Sequence, residues 1–352
     1  MKKIFLFAVL GLLGLTACNA LDPSDACSDE GSLVISVKSA DGALTKADTD
    51  PSGKDADIRD VQLFLFLQDG SLYLRKTMDG GDLALSLDRV KAGTYSIVAV
   101  ANAPEMTDIT TKAELEATQI TLDQNDPSRG FLMYGEAVQE VGANGGAAAA
   151  ARTEILVRRH VGRVRLTSVK NNLPSAYGSL TVDYAFLENG MGSWTLGAQG
   201  RPSGYVNYAG RKAAAGSSGT ASDYIASAGD AACANLTFRA VNQPVAWGES
   251  RMFDLPFYSF PNSLTEADDH FDGATTREAC VRIVLRVSYG TSQQWFYPVT
   301  IPNLERNKTY DVSFIISGPG TTDPNSKVSM GSLGIVVQVD PWQPGREIEG
   351  EF

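Results

Sequence analysis

Short runs in which every second residue is apolar recur along this chain, and they constrain its fold more than any other feature. Two of these runs, near the two ends, have almost the same apolar face. A period of two is typical of a β-strand that buries one side, whereas a helix repeats its apolar residues every three or four positions. Two strands with interchangeable faces could compete for one groove, so that one replaces the other when the first is removed. The first run contains Leu33, Ile35 and Val37, and the last contains Leu333, Ile335, Val337 and Val339.

The composition favours sheets over helices. The chain of 352 residues is 43% hydrophobic, which is ample for two cores, and it contains 34 glycines and 15 prolines. Because a chain of this length usually forms two domains and its apolar runs are short, we predict an all-β protein. The expected architecture is two Greek-key-like β-sandwich domains in tandem with few short helices, of which 111–118 is the best candidate. Strands are predicted over 61–67, 95–101, 180–186, 235–240, 251–259, 280–287, 294–301, 308–316 and 328–339.

The first residues indicate export. Lys2 and Lys3 precede an apolar run over 4–15, which is shorter than the roughly 20 residues that span a bilayer. The run ends in the order Leu-Thr-Ala-Cys at 15–18, which a lipoprotein signal peptidase recognises. We therefore expect Cys18 to be lipidated and the mature chain to be a surface-exposed lipoprotein of the outer membrane.

These features divide the chain into a leader, a linker and two domains. The linker after Cys18 is acidic and has no periodic apolar face, so it is expected to be a flexible tether. The predicted segments are a signal peptide at 1–17, the tether at 18–32, an N-terminal sandwich at 33–162 with a first strand at 33–46, and a C-terminal sandwich at 163–352 with a terminal strand at 328–342.

The inventory of reactive side chains argues against catalysis. The only histidines are His160 and His270, neither lies at a metal-ligand spacing, and no nucleophile elbow or nucleotide-binding glycine motif occurs. The acidic stretch at 266–273 is interpreted as a solvated loop. We therefore predict that the chain is not an enzyme and takes no cofactor or metal. Its net charge of −11 argues against nucleic acid as a partner, because phosphate binding needs a basic surface.

Two further features have more than one interpretation. Cys233 and Cys280 could form a disulfide or could be two buried thiols, and the sequence leaves both open. The basic run at 158–165, which alternates with valines, is interpreted as the solvated face of a strand rather than as a ligand site.

Taken in their order along the chain, several segments resemble the fimbrillins, the subunits of the type V pili of Bacteroidetes. The resemblance covers essentially the whole precursor, and the order of the segments is more specific than any one of them. The acidic tether also resembles the export signal of Bacteroidetes surface lipoproteins. The segments are the lipidation motif at 15–18, the strands at 33–37 and 95–102, the crossover at 158–166, and the stretches at 304–310, 323–324 and 337–342.

This resemblance implies a fimbrial subunit that supports adhesion and assembles by donor-strand exchange. A trypsin-like protease would cut after Lys46, and the first strand would leave with the lipid. The C-terminal strand of another copy, or of a related subunit, would then fill the groove. Arg59 is a second candidate for the cut, expected to be less accessible at the start of the next strand. The displaced face would be Leu33, Ile35 and Val37, and the donor face Leu333, Ile335, Val337 and Val339.

Two alternatives do not require polymerisation. The chain could be a pilus anchor that keeps its lipid and its first strand, because the best-known members are cut after arginine and this chain has Lys46. It could also be a surface lipoprotein that binds glycan or protein. In that case tryptophans clustered on one exposed face would supply the sugar-stacking surface, and the candidates are Trp194, Trp247 and Trp295.

Overall fold

The computed structural model describes residues 29–40, 57–143, 150–207, 231–265, 278–290, 293–324, 326–328 and 331–341. The predicted signal peptide, Cys18, Lys46 and the acidic stretch at 266–273 that contains His270 lie outside the described residues. Within the described ranges, no helix has both the length and the apolar character needed to cross a membrane.

Almost every regular element is a strand, so the prediction of an all-β protein is confirmed. Among the residues that the structure describes, the α-helices are α1 (Lys112–Ala117) and α2 (Ala234–Thr237), and 3₁₀ turns cover Leu122–Gln124 and Ser175–Tyr177. The strands are β1 (Glu30–Ser39), β2 (Asp60–Phe66), β3 (Leu72–Asp79), β4 (Ala84–Lys91), β5 (Gly93–Ala101), β6 (Gln119–Thr121), β7 (Met133–Val141), β8 (Ala151–Arg159), β9 (Gly162–Asn171), β10 (Leu180–Glu188), β11 (Gly190–Thr195), β12 (Ser203–Val206), β13 (Phe238–Val245), β14 (Ser250–Ser259), β15 (Val281–Tyr289), β16 (Gln293–Ile301), β17 (Lys308–Ile316) and β18 (Leu333–Pro341).

The first half of the chain forms a sheet in the order β3-β2-β5-β7-β8-β1-β4. Strands β7 and β8 are joined by only two residue pairs, Met133 with Arg159 and Tyr134 with Arg158. On either side of this short junction, β4-β1-β8 and β3-β2-β5-β7 contribute side chains to one apolar core. The sheet therefore encloses its own core, as alternating strands with one buried face require.

The second half is a sandwich of two four-stranded sheets. One sheet has the order β13-β10-β15-β16 and the other β14-β9-β17-β18. Their inner faces share one core of alternating aliphatic residues with a few aromatic ones. The predicted tandem of β-sandwiches is therefore confirmed, and β9 begins at Gly162, next to the boundary predicted at residue 162.

The two halves meet through a third apolar cluster and a small shared sheet. Strand β6 of the first half pairs with β11 of the second, and β12 completes this three-stranded sheet. The rings of Phe131 and Tyr258, one from each half, lie 4.6 Å apart between centroids. Both belong to the same buried cluster, which also includes Trp194 and Val161. The halves are thus joined by a hydrophobic core.

The structure corrects several expectations about individual elements. Strand β1 begins within the predicted tether and ends before the predicted limit of 46, and β18 begins at Leu333 rather than at 328. Residues 234–237, predicted in part as strand, form α2. Of the two possibilities left open for Cys233 and Cys280, the structure shows two buried thiols, and the Cys280 Sγ donates to the carbonyl of Thr265 at 3.2 Å.

Candidate functional site

Strand β1 lies between two neighbours in the sheet of the first half. It runs antiparallel to β4, with Ile35 opposite Leu85, and parallel to β8, with Ile35 opposite Thr153. Both edges of its main chain therefore take part in sheet pairing. If β1 left, β4 and β8 would each lose a ladder of hydrogen bonds, and their main-chain groups would need new partners. We call the space that β1 occupies between β4 and β8 the β1 seat.

The inward face of β1 is deeply buried. Leu33, Ile35 and Val37 are at most 2% exposed and pack in the core of the first half. Burial of three such side chains stabilises the fold by roughly 5–9 kcal/mol before ordering costs. The alternating pattern predicted this face correctly, whereas the parallel pairing with β8 joins residues far apart in sequence.

Strand β18 occupies a very different environment. It is the last strand of its sheet, and in the part of the chain that the structure describes it pairs only with β17. Its apolar side chains are exposed on both faces: Ile335 by 44%, Val336 by 58%, Val337 by 38% and Val339 by 48%.

Such an edge is unusual for a soluble protein. Edge strands normally carry charges, proline or bulges that prevent pairing with another chain. Between Leu333 and Val339, β18 carries no charged residue, and Leu333 alone packs partly against the core of the second half. An exposed apolar strand with an open edge is a surface that can add to another sheet.

The predicted donor and displaced faces therefore lie in different sheets. Leu33, Ile35 and Val37 are in the core of the first half, and Ile335, Val337 and Val339 are on the surface of the second. Within one copy the terminal strand does not occupy the β1 seat. The structure places β1 as a buried inner strand and β18 as an exposed edge strand.

Arg59, the second candidate for a cut, is more exposed than expected. Its main chain is nevertheless held on both sides: its N–H donates to Asn102 Oδ1 at 2.9 Å, and its carbonyl accepts from the Gly80 N–H at 2.6 Å. A protease would have to open these bonds next to β2, so exposure of the side chain alone does not make this bond easy to cut. Lys46 lies outside the described residues.

The interpretation of the basic run as a solvated face holds for Arg158, which is exposed, and is wrong for most of the other residues. Arg159, His160 and Arg163 are buried, because the chain passes there from β8 into β9 at the junction of the halves. The Arg163 Nε donates to Thr309 Oγ1 at 3.1 Å, and Arg165 makes two hydrogen bonds to the Asp311 carboxylate at 2.6 and 2.8 Å. These contacts join β9 to β17, the strand that holds β18.

The tryptophans do not form a sugar-stacking surface. Trp194 is buried in the cluster between the halves, and Trp295 is partly buried against the core of the second half. Trp247 is exposed by 53%, and its indole N–H donates to the Leu173 carbonyl at 2.7 Å. Because Trp247 alone of the three is well exposed, the observation that would favour a glycan-binding module is missing. Among the described residues, no group of three or more potential ligands could hold a metal ion.

Three solved structures share this fold over nearly the whole chain. A proposed cell adhesion protein from Bacteroides eggerthii has a TM-score of 0.61 at 19% identity, with 90% of this chain and 98% of that chain covered. Another from Parabacteroides distasonis has a TM-score of 0.60 at 16% identity, with coverage of 91% and 99%. A fimbrilin from Porphyromonas gingivalis has a TM-score of 0.60 at 16% identity, with coverage of 91% and 100%. At these identities the likeness shows the fold alone.

No curated protein sequence matches this chain. Residues 24–246 match the family described as fimbrillin-A associated anchor proteins Mfa1 and Mfa2. The match spans more than half of the 352 residues and includes the β1 seat and the junction between the halves. The chain therefore belongs to the family of fimbrillin-A associated anchor proteins.

Proposed function

We propose that this chain is a structural subunit of a cell-surface fimbria and polymerises by donor-strand exchange. Proteolysis after Lys46 would release β1 with the lipid on Cys18, and β18 of a neighbouring copy or related subunit would fill the β1 seat. The proposed domains are 33–162, which carries the seat, and 163–352, which carries the donor strand. The chain would act as a building element that supports adhesion and not as an enzyme.

One contrast carries this proposal: the same alternating apolar face is buried in β1 and exposed in β18. In the intact chain β1 fills the β1 seat, which accepts apolar side chains at alternate positions. A second strand with the same pattern, β18, lies on the surface. Transfer of β18 to the seat of another copy would bury its inward side chains and pair both of its edges. Ile335, Val337 and Val339 are 38–48% exposed in the intact chain, so completing the burial of these side chains and of Leu333 gains about 3–6 kcal/mol at most, before the cost of association.

Export as a lipoprotein fits this scheme. A lipid on Cys18 would hold the chain at the outer membrane, and the tether would present the first strand to a trypsin-like protease at the surface. The cut would at once free the chain from its anchor and open the β1 seat. No polymer would then form before the chain reaches the place of assembly.

The test is a limited digestion of the purified chain, without its signal peptide, by a trypsin-like protease, followed by electrophoresis in SDS. The wild-type chain should give an SDS-resistant ladder after the cut and none before it. A matched chain truncated after Gly331 keeps the same cleavage segment but lacks β18, and it should remain monomeric. A ladder from the truncated chain, or none from the wild type, would contradict strand exchange through β18.

The family description favours a second candidate, the anchor of a fimbria. An anchor keeps its first strand and its lipid, so residues 33–46 would stay attached to the mature chain. N-terminal sequencing of the protein isolated from cell-surface fimbriae separates the two roles. A start at Ala47 supports the polymerising subunit, and a blocked, lipid-modified Cys18 supports the anchor.

A further inference from the structure

The β1 seat is too narrow at one point for any side chain. Gly31 of β1 is buried, and a Cβ atom there would lie 2.2 Å from the Gly142 carbonyl oxygen and 2.7 Å from Val141 Cγ1. The first of these is a main-chain atom at the end of β7, which cannot rotate away. The backbone of Gly31 does not have a positive φ. Glycine is therefore required by the close approach and not by the local conformation.

A glycine also stands at the corresponding place before β18. Residues 31–33 and 331–333 are both Gly-Ser-Leu. The similarity between the two terminal strands therefore begins at the glycine, two residues before the first apolar residue of each strand. Gly331 is exposed, its φ is not positive, and a Cβ there would meet no atom within 4 Å. Among the described residues, nothing around Gly331 requires a glycine, whereas the β1 seat does.

The seat and the tail fit in one register. With Gly331 in the place of Gly31, the buried places of Leu33, Ile35 and Val37 receive Leu333, Ile335 and Val337.

Other registers place a side chain at the narrow point or bury polar groups. A shift of two residues in one direction puts Leu333 at the narrow point, and in the other direction it puts Ser329 there. A shift of three would bring Gly334 there, but Gln338 and Asp340 would then enter the apolar core. A shift of one turns the apolar face outward.

We infer that Gly331 is the residue that sets the register of strand exchange, by entering the narrow point against Gly142 and Val141. This inference rests on the proposed function and specifies how the donor strand is aligned in the β1 seat. Register matters for a polymer because a slip of two residues would displace each subunit by about 7 Å along the strand.

Two alanine variants test the role of the glycine. Gly331→Ala should leave the unfolding midpoint of the intact chain unchanged, because its Cβ meets open space there. After cleavage it should lower the rate of ladder formation about tenfold or more, because the methyl group collides with the main chain of the seat. The matched control is Gly334→Ala, whose counterpart in β1 is Val34, a place that already accepts a side chain. It should assemble like the wild type.

An engineered disulfide between β18 of one copy and β4 of another reports the register directly. In β1, Ser36 lies opposite Ala84 and Val34 opposite Ser86 of β4. In the inferred register, Val336 of a neighbour takes the place of Ser36. Cleaved chains with Val336→Cys and Ala84→Cys should therefore form disulfide-linked polymers. Chains with Val336→Cys and Ser86→Cys report a slip of two residues and should not.

The outcomes separate the inference from the proposed function. If the cleaved wild type forms no polymer, both are overturned. If the wild type and Gly331→Ala assemble equally fast, or if the Ser86 pair is cross-linked instead of the Ala84 pair, strand exchange stands and the register inference is overturned. Slow assembly of Gly331→Ala with cross-linking of the Ala84 pair alone supports the inference.

Discussion

His160 illustrates how residues at the junction differ from what their sequence suggests. Its imidazole is fully buried, and neither ring nitrogen has a hydrogen-bond partner among the described residues. The ring lies 5.6 Å from that of Trp194 and 6.1 Å from that of Tyr134, measured between centroids. Burial, and next the positive charge of Arg306, lowers the pKa of His160 from 6.5 to about 3. The residue therefore behaves as part of the apolar core.

This pKa predicts a loss of stability in acid. The unfolded chain takes up a proton at His160 as the pH falls below about 6.5, whereas the folded chain does not until about pH 3. The contribution of neutral His160 is therefore present above pH 6.5 and is lost as the pH falls toward 3, by about 3 kcal/mol between pH 7 and pH 4. Denaturant unfolding at both pH values measures this loss.

The control for this prediction is His160→Phe, which keeps an aromatic ring but cannot be protonated. Carboxylates that titrate in the same range affect both chains, so the difference between them isolates His160. We expect the variant to lose about 3 kcal/mol less than the wild type on acidification. Equal losses would show that the imidazole is not held neutral in the folded chain.

At the scale of single elements, β1 and β18 show that an apolar pattern does not determine its environment. Both alternate in the same way, but β1 has a strand on each side and β18 has one. Ile35 is fully buried, and Ile335 is 44% exposed. These two residues are identical in type and in position within the repeat, so they form a matched pair.

We predict that alanine at these two positions weakens different states of the protein, the intact chain at Ile35 and the polymer at Ile335. Ile35→Ala should lower the free energy of unfolding of the intact chain by about 2–5 kcal/mol, because it leaves a cavity in the core. Ile335→Ala should change it by less than about 1 kcal/mol but should weaken polymers formed after cleavage, where the side chain becomes buried. Denaturant unfolding of intact chains and heat-dissociation of the ladders in SDS measure the two effects. A large loss of monomer stability in Ile335→Ala would contradict the exposed position of β18.

The sequence predicted those elements whose information is local. The predicted strand at 308–316 coincides with β17, and the predicted strands at 180–186 and 251–259 lie within β10 and β14. These predictions succeed because the alternation of a half-buried strand is visible in consecutive residues. Helix α1 falls within the predicted 111–118, where Thr111 and Glu114 form a capping box.

Other features depend on residues far apart in sequence. The parallel pairing of β1 with β8 is one of them, because no local pattern specifies which strands become neighbours. The burial of Arg159 and His160 is another, since it results from the meeting of the two halves. The narrow point at Gly31 is formed by Val141 and Gly142. The role of the repeated glycine therefore follows from the structure of the β1 seat and not from the sequence. At 234–237, a short helix ends directly before β13.

At the scale of the whole molecule, the β1 seat and β18 belong to different halves joined by a hydrophobic core. The pairing of β6 with β11 and the contact of Phe131 with Tyr258 connect these halves. Under the proposed strand exchange, an acceptor and a donor on different surfaces of one subunit would make a head-to-tail contact, which extends into an open filament unless the rotation between subunits closes a ring.

Under the proposed function, the loss of β1 would also determine the stability of the subunit between cleavage and assembly. A protein of this kind has a free energy of unfolding of about 5–15 kcal/mol, and β1 contributes roughly 5–9 kcal/mol through its buried side chains alone. A chain that begins at Ala47 and is truncated after Gly331 has an empty seat and no donor strand. We expect its Tm to lie on the order of 10 °C or more below that of the uncut chain with the same truncation.

The untruncated chain that begins at Ala47 is the matched comparison. Under the proposed strand exchange its β18 fills the seats of neighbours, so its Tm should recover to that of the uncut chain or above and should rise with protein concentration, because assembly is then coupled to folding. Differential scanning calorimetry of the three chains at several concentrations tests this order. Equal Tm values for the chains with and without β1 would mean that the seat is stable when empty, and cleavage would then provide no driving force for assembly.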